Sequence, residues 1–230
     1  MDKTSTAYRF GGICGVLTGL LYIVIAGSMV VDPGAAKATA TTTTPEYWQG
    51  LASNLTPFIV RQAAYILSGF TGVGFVVALS TFVRRDENAG WVNWGAILGA
   101  SAYVITGVDG SRLLATLPHL AQQWATGDAA TRQMIEFTYS VSRLDPGTYM
   151  RFGALGLWTL TIALASLKAG ILSKPLTALS FVATAGYAMV VVGIAGRIMV
   201  LQELGAVIAG ILVAPIWFIW SGITLRRAGA

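Results

Sequence analysis

Six apolar stretches without a charged residue, spanning positions 11–31, 62–83, 91–108, 152–167, 176–196 and 204–225, constrain this chain more than any other feature. Each is near the length a helix needs to cross about 30 Å of hydrocarbon at about 1.5 Å per residue. Only helices and closed barrels satisfy every backbone polar group in that medium, and a barrel strand would alternate polar and apolar residues. These runs do not alternate, so the reading is an all-α polytopic bundle of six transmembrane helices with short interfacial helices in the outer loops. The spans and their connectors consume nearly all of the 230 residues, of which 55% are hydrophobic and 11% charged. The chain therefore reads as one transmembrane domain over 1–230, with its lipid bilayer as the first partner.

A net charge of +5 invites a nucleic-acid reading. Lys and Arg stand singly or in pairs at span ends instead of clustering on a polar face, so nucleic acid is not an expected partner. The first apolar run exceeds the 7 to 15 residues usual for a secretory signal, and it is expected to remain as a span. Cys14 is the one cysteine and His119 the one histidine. Neither a thiolate or histidine metal centre, nor a haem, nor a Ser/His dyad has its residues, and no phosphate-binding or dinucleotide glycine fingerprint follows a strand. No catalytic residue, metal or cofactor is expected. His119, after Pro118, reads as a solvated loop residue.

Orientation follows from basic residues. Lys3, Arg9, Arg84, Arg85, Lys168, Lys174, Arg226 and Arg227 fall on one side, opposed only by Asp2, Asp86 and Glu87. The positive-inside rule puts that side, with both termini, in the cytoplasm. The long connectors, 32–57 and 109–150, then lie outside. The first opens on Asp32, Pro33 and Gly34 and a Thr-rich tract that reads as linker; Pro45 and Glu46 then start a short helix over 45–55, with Tyr47 and Trp48 at headgroup level. In the second, Met134, Phe137, Val141 and Leu144 share one helical face, and Arg132, Gln133, Glu136, Ser140 and Arg143 the other. That helix is expected to lie on the membrane or cap the bundle, ending at Asp145, Pro146 and Gly147.

Three stripes of small residues at four-residue spacing predict close helix packing: Gly11, Gly15 and Gly19; Gly95 and Gly99; Ala206, Gly210 and Ala214. The first two are also candidate seams for a homo-oligomer or a larger membrane complex. Pro215 is expected to kink the last span.

Counting along each span, Arg61, Asp109, Arg151, Arg197 and Glu203 come out roughly 24 to 33 Å from the inner end and so share the outer boundary. Arg112 lies on the face of Asp109, and Asp145 closes the loop before Arg151. Charges at that depth must pair, snorkel or line water. One reading is a set of anchors and ion pairs, Asp109 with Arg112 and Arg197 with Glu203. The other is an electropositive vestibule for a carboxylate, phosphate or lipid headgroup, walled by Tyr149 and Trp48.

Arg9, Phe10, Gly11 and Gly12, the run 73–83 leading into Arg84, Arg85, Asp86, Glu87 and Asn88, the segment Leu172, Ser173, Lys174, Pro175 and Leu176, and the close of the last span over 217–226 occur in an order that resembles the bacterial six-helix membrane proteins grouped as domain of unknown function family 4386. The resemblance implies a bacterial cytoplasmic membrane and transfers no site residues. Three functions are compatible with the residues. A non-enzymatic membrane protein, either an accessory subunit or a binder of a small anionic or amphiphilic ligand at the outer face, asks least. A small-solute permease would need more than the sparse midplane hydroxyls Thr18, Ser68, Thr71, Ser101, Thr159 and Thr184. A lipid-acting enzyme would draw its base from Glu136, Asp145 or Glu203.

Overall fold

The structure, a computed structural model, describes residues 3–32, 43–141, 145 and 148–230. Most of the Thr-rich tract, together with Arg143, Leu144, Pro146 and Gly147, lies outside them. The described chain is all-helical. Helices α1 (Lys3–Val31), α3 (Thr56–Val83), α4 (Ala89–Thr126), α6 (Tyr149–Ala169) and α7 (Lys174–Ala195) are followed by α8 (Met199–Ala206), a π-helical stretch (Val207–Val213) and α9 (Ala214–Ala228), which together form one rod. Two short helices, α2 (Pro45–Ser53) and α5 (Ala129–Val141), lie in the connectors. Five of these units are long and apolar enough to cross a membrane: α1, α3, α6, α7 and the rod Met199–Ala228. The sixth expected span, within α4, is not among them.

Neighbours in sequence are neighbours in space: α1 packs on α3, α3 on α4, α4 on α6, α6 on α7, α7 on α8, and α9 returns to α1. The helices thus close a ring in chain order. Both chain ends meet at one end of it, where Ser5 Oγ and Arg9 Nε donate to the Gly229 carbonyl at 2.6 and 2.7 Å. Inside the ring Phe75, Trp158, Trp217 and Phe218 pack edge to face. The two indole N–H groups are satisfied by hydroxyls, Trp158 by Ser80 at 3.0 Å and Trp217 by Ser180 at 2.8 Å, as burial in this apolar interior demands.

Glycines set the closest approaches. A Cβ at Gly12 would lie 2.6 Å from the Gly222 carbonyl, and one at Gly222 would lie 2.6 Å from the Gly12 carbonyl, so α1 and α9 cross backbone on backbone. Gly11 and Gly15 face α3, Gly19 faces α9, and Gly95 and Gly99 receive Thr161 and Trp158 of α6. Both expected seams are filled by the chain's own helices. On the last rod the working seam is Gly205 and Ala209, which meet Gly186 of α7, whereas a Cβ at Gly210 would touch nothing within 4 Å. The π-helical stretch explains the change from the expected stripe: its i to i+5 register brings Ala209 and Ala214, both buried, onto one face. It also accommodates Pro215, which stands in the first turn of α9, where a missing N–H costs little.

The second long connector, expected outside, differs most from expectation. Residues 109–126 continue α4 through Pro118 to Thr126, making a 38-residue helix of about 57 Å. His119 is exposed, but on a helix instead of a loop. Leu117, Ala121 and Trp124 of this extension are buried with Tyr47, Trp48, Leu51, Ile135 and Tyr139 in a second apolar cluster that caps the bundle. Tyr47 and Trp48 are therefore core residues of the cap; Trp48 is fully buried and its Nε1 donates to Thr43 Oγ1 at 2.9 Å. Helix α5 caps the bundle with a different face from the one its strongest periodicity indicated. Ile135 and Tyr139 are buried, while Met134 and Phe137 are 70% and 67% exposed. Arg132 fixes that rotation by lying 4.7 Å from the Trp124 ring and donating to the Trp124 carbonyl at 3.1 Å.

Candidate functional site

At the end of the ring opposite the chain termini, beneath the cap, lies a cavity of about 260 Å³. Arg61 and Gln62 reach it from α3, Thr106 and Asp109 from α4, Thr148 and Arg151 from the start of α6, Ala206 from the end of α8. Tyr47 and Tyr139 form part of its roof. Its charges are paired: Arg61 Nη1 lies 3.2 Å from Asp32 Oδ2, and Arg151 Nη2 lies 3.5 Å from Asp109 Oδ2. Asp145 stands beside it, its Oδ2 accepting the Arg151 backbone N–H at 2.9 Å, which satisfies an orphan donor of the first turn of α6.

Four of the seven charged residues expected at the outer boundary are thus assembled, Arg61, Asp109, Asp145 and Arg151. Arg112 lines an adjacent pocket that shares Asp109. Arg197, in a left-handed conformation at φ 54°, and Glu203 are both exposed, and they form no ion pair with each other. The vestibule of four arginines is replaced by one in which two arginines each face an aspartate. Trp48 does not wall it and Tyr149 is 44% exposed; Tyr47, Tyr65 and Tyr139 take that part. The three candidate bases do not converge either. Glu136 accepts from Trp124 Nε1 at 3.4 Å in the cap, Asp145 caps α6, and Glu203 faces outward.

What sequence reasoning missed are two neutral residues, Gln62 and Thr148, which join the expected Arg151. Gln62 Oε1, Thr148 Oγ1 and Arg151 Nε are buried with no hydrogen-bond partner among the described residues, and all three residues line the cavity. Thr148 is also strained: a β-branched residue at φ 53° occupies the left-handed region that suits glycine. Buried polar groups are almost always bonded, so one acceptor, one donor and one hydroxyl left open around a single cavity describe the complement of a polar guest. The only advance signal was the position of Gln62, a long amide next to Arg61 at the mouth of an apolar run.

Comparison with known proteins supplies the family. The model described as domain of unknown function (DUF4386) matches residues 17–223. The chain belongs to this family. No curated protein and no solved structure matches it. Membership accords with the long apolar helices and assigns no activity, so the chemistry of the site has to be argued from the cavity itself.

Proposed function

We propose that this DUF4386 protein is a six-span protein of the bacterial cytoplasmic membrane, with both termini in the cytoplasm, that binds a small zwitterionic solute in the cavity at its outer face. It acts as a binding protein and not as an enzyme. The unpartnered trio of Gln62, Thr148 and Arg151 carries this reading. Around it the charges are of both signs, Arg61 and Arg151 against Asp109, so a guest with a single negative charge gains little from the field as a whole. A zwitterion places its carboxylate on Arg151 Nε and the Thr148 hydroxyl and its ammonium near Gln62 Oε1. The volume sits just below the roughly 300 to 1,000 Å³ of ordinary ligand sites, which suits a guest smaller than a drug.

The sixth span is α4. Its residues 91–108 carry no charge, and it stands in the ring between α3 and α6, two helices of spanning length. The basic residues at the end shared by the termini favour a cytoplasmic assignment for that end. Single cysteines at positions 86 and 128, in a Cys14→Ala background, test the topology: a membrane-impermeant thiol reagent applied to intact cells labels 128 and spares 86, and labelling of both from one side refutes it.

Binding is tested by thermal unfolding of the full chain in detergent with a panel of free amino acids, using propionate and ethylamine as single-charge controls. The zwitterions raise the midpoint, the controls do not, and Gln62→Leu abolishes the response while leaving the unliganded protein folded. A panel without effect, or an undiminished response in Gln62→Leu, overturns the reading. One observation favours the permease alternative. The π-helical stretch begins one residue after Ala206, which lines the cavity, and such bulges recur at functional sites within helices. Uptake of the same amino acids into proteoliposomes separates transport from binding.

A further inference from the structure

The end of the ring where both chain ends meet carries a pocket of about 430 Å³ on its flank, between the start of α1 and the close of α9. Arg9 and Ile13 line it from α1, and Ile223, Arg226 and Arg227 from α9, with Ala230 beyond. No carboxylate side chain belongs to this lining among the described residues. The close crossing of the two helices builds it: with glycine at position 12, the Arg226 stem lies against α1, its Cγ 2.5 Å from where a Cβ would stand. Arg9 is held at the other wall, its Nε and Nη2 donating to the Gly229 and Ala230 main-chain oxygens at 2.7 and 3.2 Å. Even with Arg9 assigned wholly to those oxygens, two cations remain. Arg226 and Arg227 are exposed and have no hydrogen bond, ion pair or ring contact among the described residues. The ion pairs found there, Arg61 with Asp32 and Arg151 with Asp109, belong to the far end of the ring.

Apolar surface continues from the arginines. On α1, Arg9 is followed at helical spacing by Ile13, Leu17 and Leu20, and on α9, Ile223 is preceded by Trp220 and Ile216, all of them exposed. The strip from Ile13 to Leu20 is about 10 Å long, enough for the upper part of an acyl chain. We infer that this pocket binds one anionic phospholipid of the leaflet on the side of the chain termini, with its phosphate on Arg226 and Arg227 and an acyl chain along the strip. Charge sets the selectivity. A choline head would bring a quaternary ammonium among three arginines, whereas a glycerol head brings no cation. The site depends on the chain spanning a bilayer and lies at the opposite end of the ring from the cavity proposed above, so either assignment can fail without the other.

Native mass spectrometry of the full chain, released from nanodiscs of equal phosphatidylglycerol and phosphatidylcholine, tests the inference. Phosphatidylglycerol is retained in preference. Arg226→Ala/Arg227→Ala lowers its retention about 25-fold, about fivefold for each interfacial cation, and Arg226→Lys/Arg227→Lys keeps most of it. Neither arginine has a partner to lose, so both variants keep the wild-type unfolding midpoint in detergent. Arg84→Ala/Arg85→Ala removes as many charges from the same end of the ring, outside the pocket, and leaves retention at the wild-type level. Equal retention of the two lipids overturns the proposal, as does wild-type retention in Arg226→Ala/Arg227→Ala. So does an equal loss in Arg84→Ala/Arg85→Ala, which would assign the preference to the surface charge of that end as a whole. Stabilisation by inorganic phosphate equal to that by phosphatidylglycerol in the same detergent overturns the lipid assignment, since the apolar strip would then contribute nothing.

Discussion

Replacing Asp109 with Asn keeps its shape and removes the charge that faces Arg151 across the α4/α6 boundary. The Asp109 side chain is 6% exposed and that of Arg151 16%, with 3.5 Å between the charged atoms. An effective dielectric near 20 gives about 5 kcal/mol of attraction at that separation. Desolvation of the two groups offsets more than half, and the partial exposure of Arg151 screens some of the remainder, which leaves a net loss of about 2 kcal/mol for Asp109→Asn. For a chain of this length about 2 to 4 °C accompany each kcal/mol, so the midpoint falls by about 4 to 8 °C. Intrinsic tryptophan fluorescence during thermal unfolding in detergent reads it. Arg151→Gln alone costs a similar amount, because it strands a buried carboxylate. The double variant Asp109→Asn/Arg151→Gln removes both charges and recovers at least about 1 kcal/mol relative to the sum of the singles. A double variant whose loss equals that sum would show that the pair contributes nothing, and the charge arrangement deduced for the cavity would fall with it.

The backbone crossing of α1 and α9 gives a second expectation: Gly12→Ala lowers the midpoint by an amount equivalent to about 1 to 3 kcal/mol, since its Cβ meets the Gly222 carbonyl, whereas Gly27→Ala, with open space around it, leaves the midpoint unchanged or raises it by up to about 1 kcal/mol. Thr148→Gly relieves the left-handed strain and deletes an orphan hydroxyl, so the unliganded protein gains roughly 0.5 to 1 kcal/mol while its zwitterion response weakens; a fall in midpoint without ligand contradicts the strain argument. In the cap, the Thr131 backbone N–H donates to Asp128 Oδ1 at 2.8 Å and holds that carboxyl below its ordinary 3.8. A folded value below the unfolded one means that the contribution is complete above the unfolded value and is lost as the pH falls through the folded value. Helix α5 therefore loosens on acidification below about pH 4, seen as a change in Trp124 emission, and Asp128→Ala abolishes that transition.

Five long apolar helices were legible because suitability for a bilayer depends on the summed composition of about 20 residues, and no neighbouring helix alters that sum. The start of α2 at Pro45 was legible too, through Pro45 and Glu46; the structure adds the Thr44 side chain, which accepts the Tyr47 backbone N–H. The extension of α4 left a fainter signal. Leu113, Leu117, Ala121 and Trp124 recur at helical spacing beyond the charges, but Pro118 and the loss of apolarity mask the continuity. Helix α5 carries two adjacent apolar stripes, and the choice of Ile135 and Tyr139 over Met134 and Phe137 rests on Trp48 and Trp124, which come from other helices.

The sequence by itself determined that this chain is helical and where along it the long apolar stretches fall, both properties of one helix at a time. Tertiary structure alone decided that α9 closes on α1, that Arg151 meets Asp109, that Arg197 and Glu203 stay outside, and that Gln62, Thr148 and Arg151 face one cavity with open valences. Those outcomes depend on the rotation of each helix about its axis, set by contacts such as Gly12 on Gly222 and Gly186 on Gly205. A turn of one residue, about 100°, moves a side chain from the cavity to the lipid without changing any property that composition records.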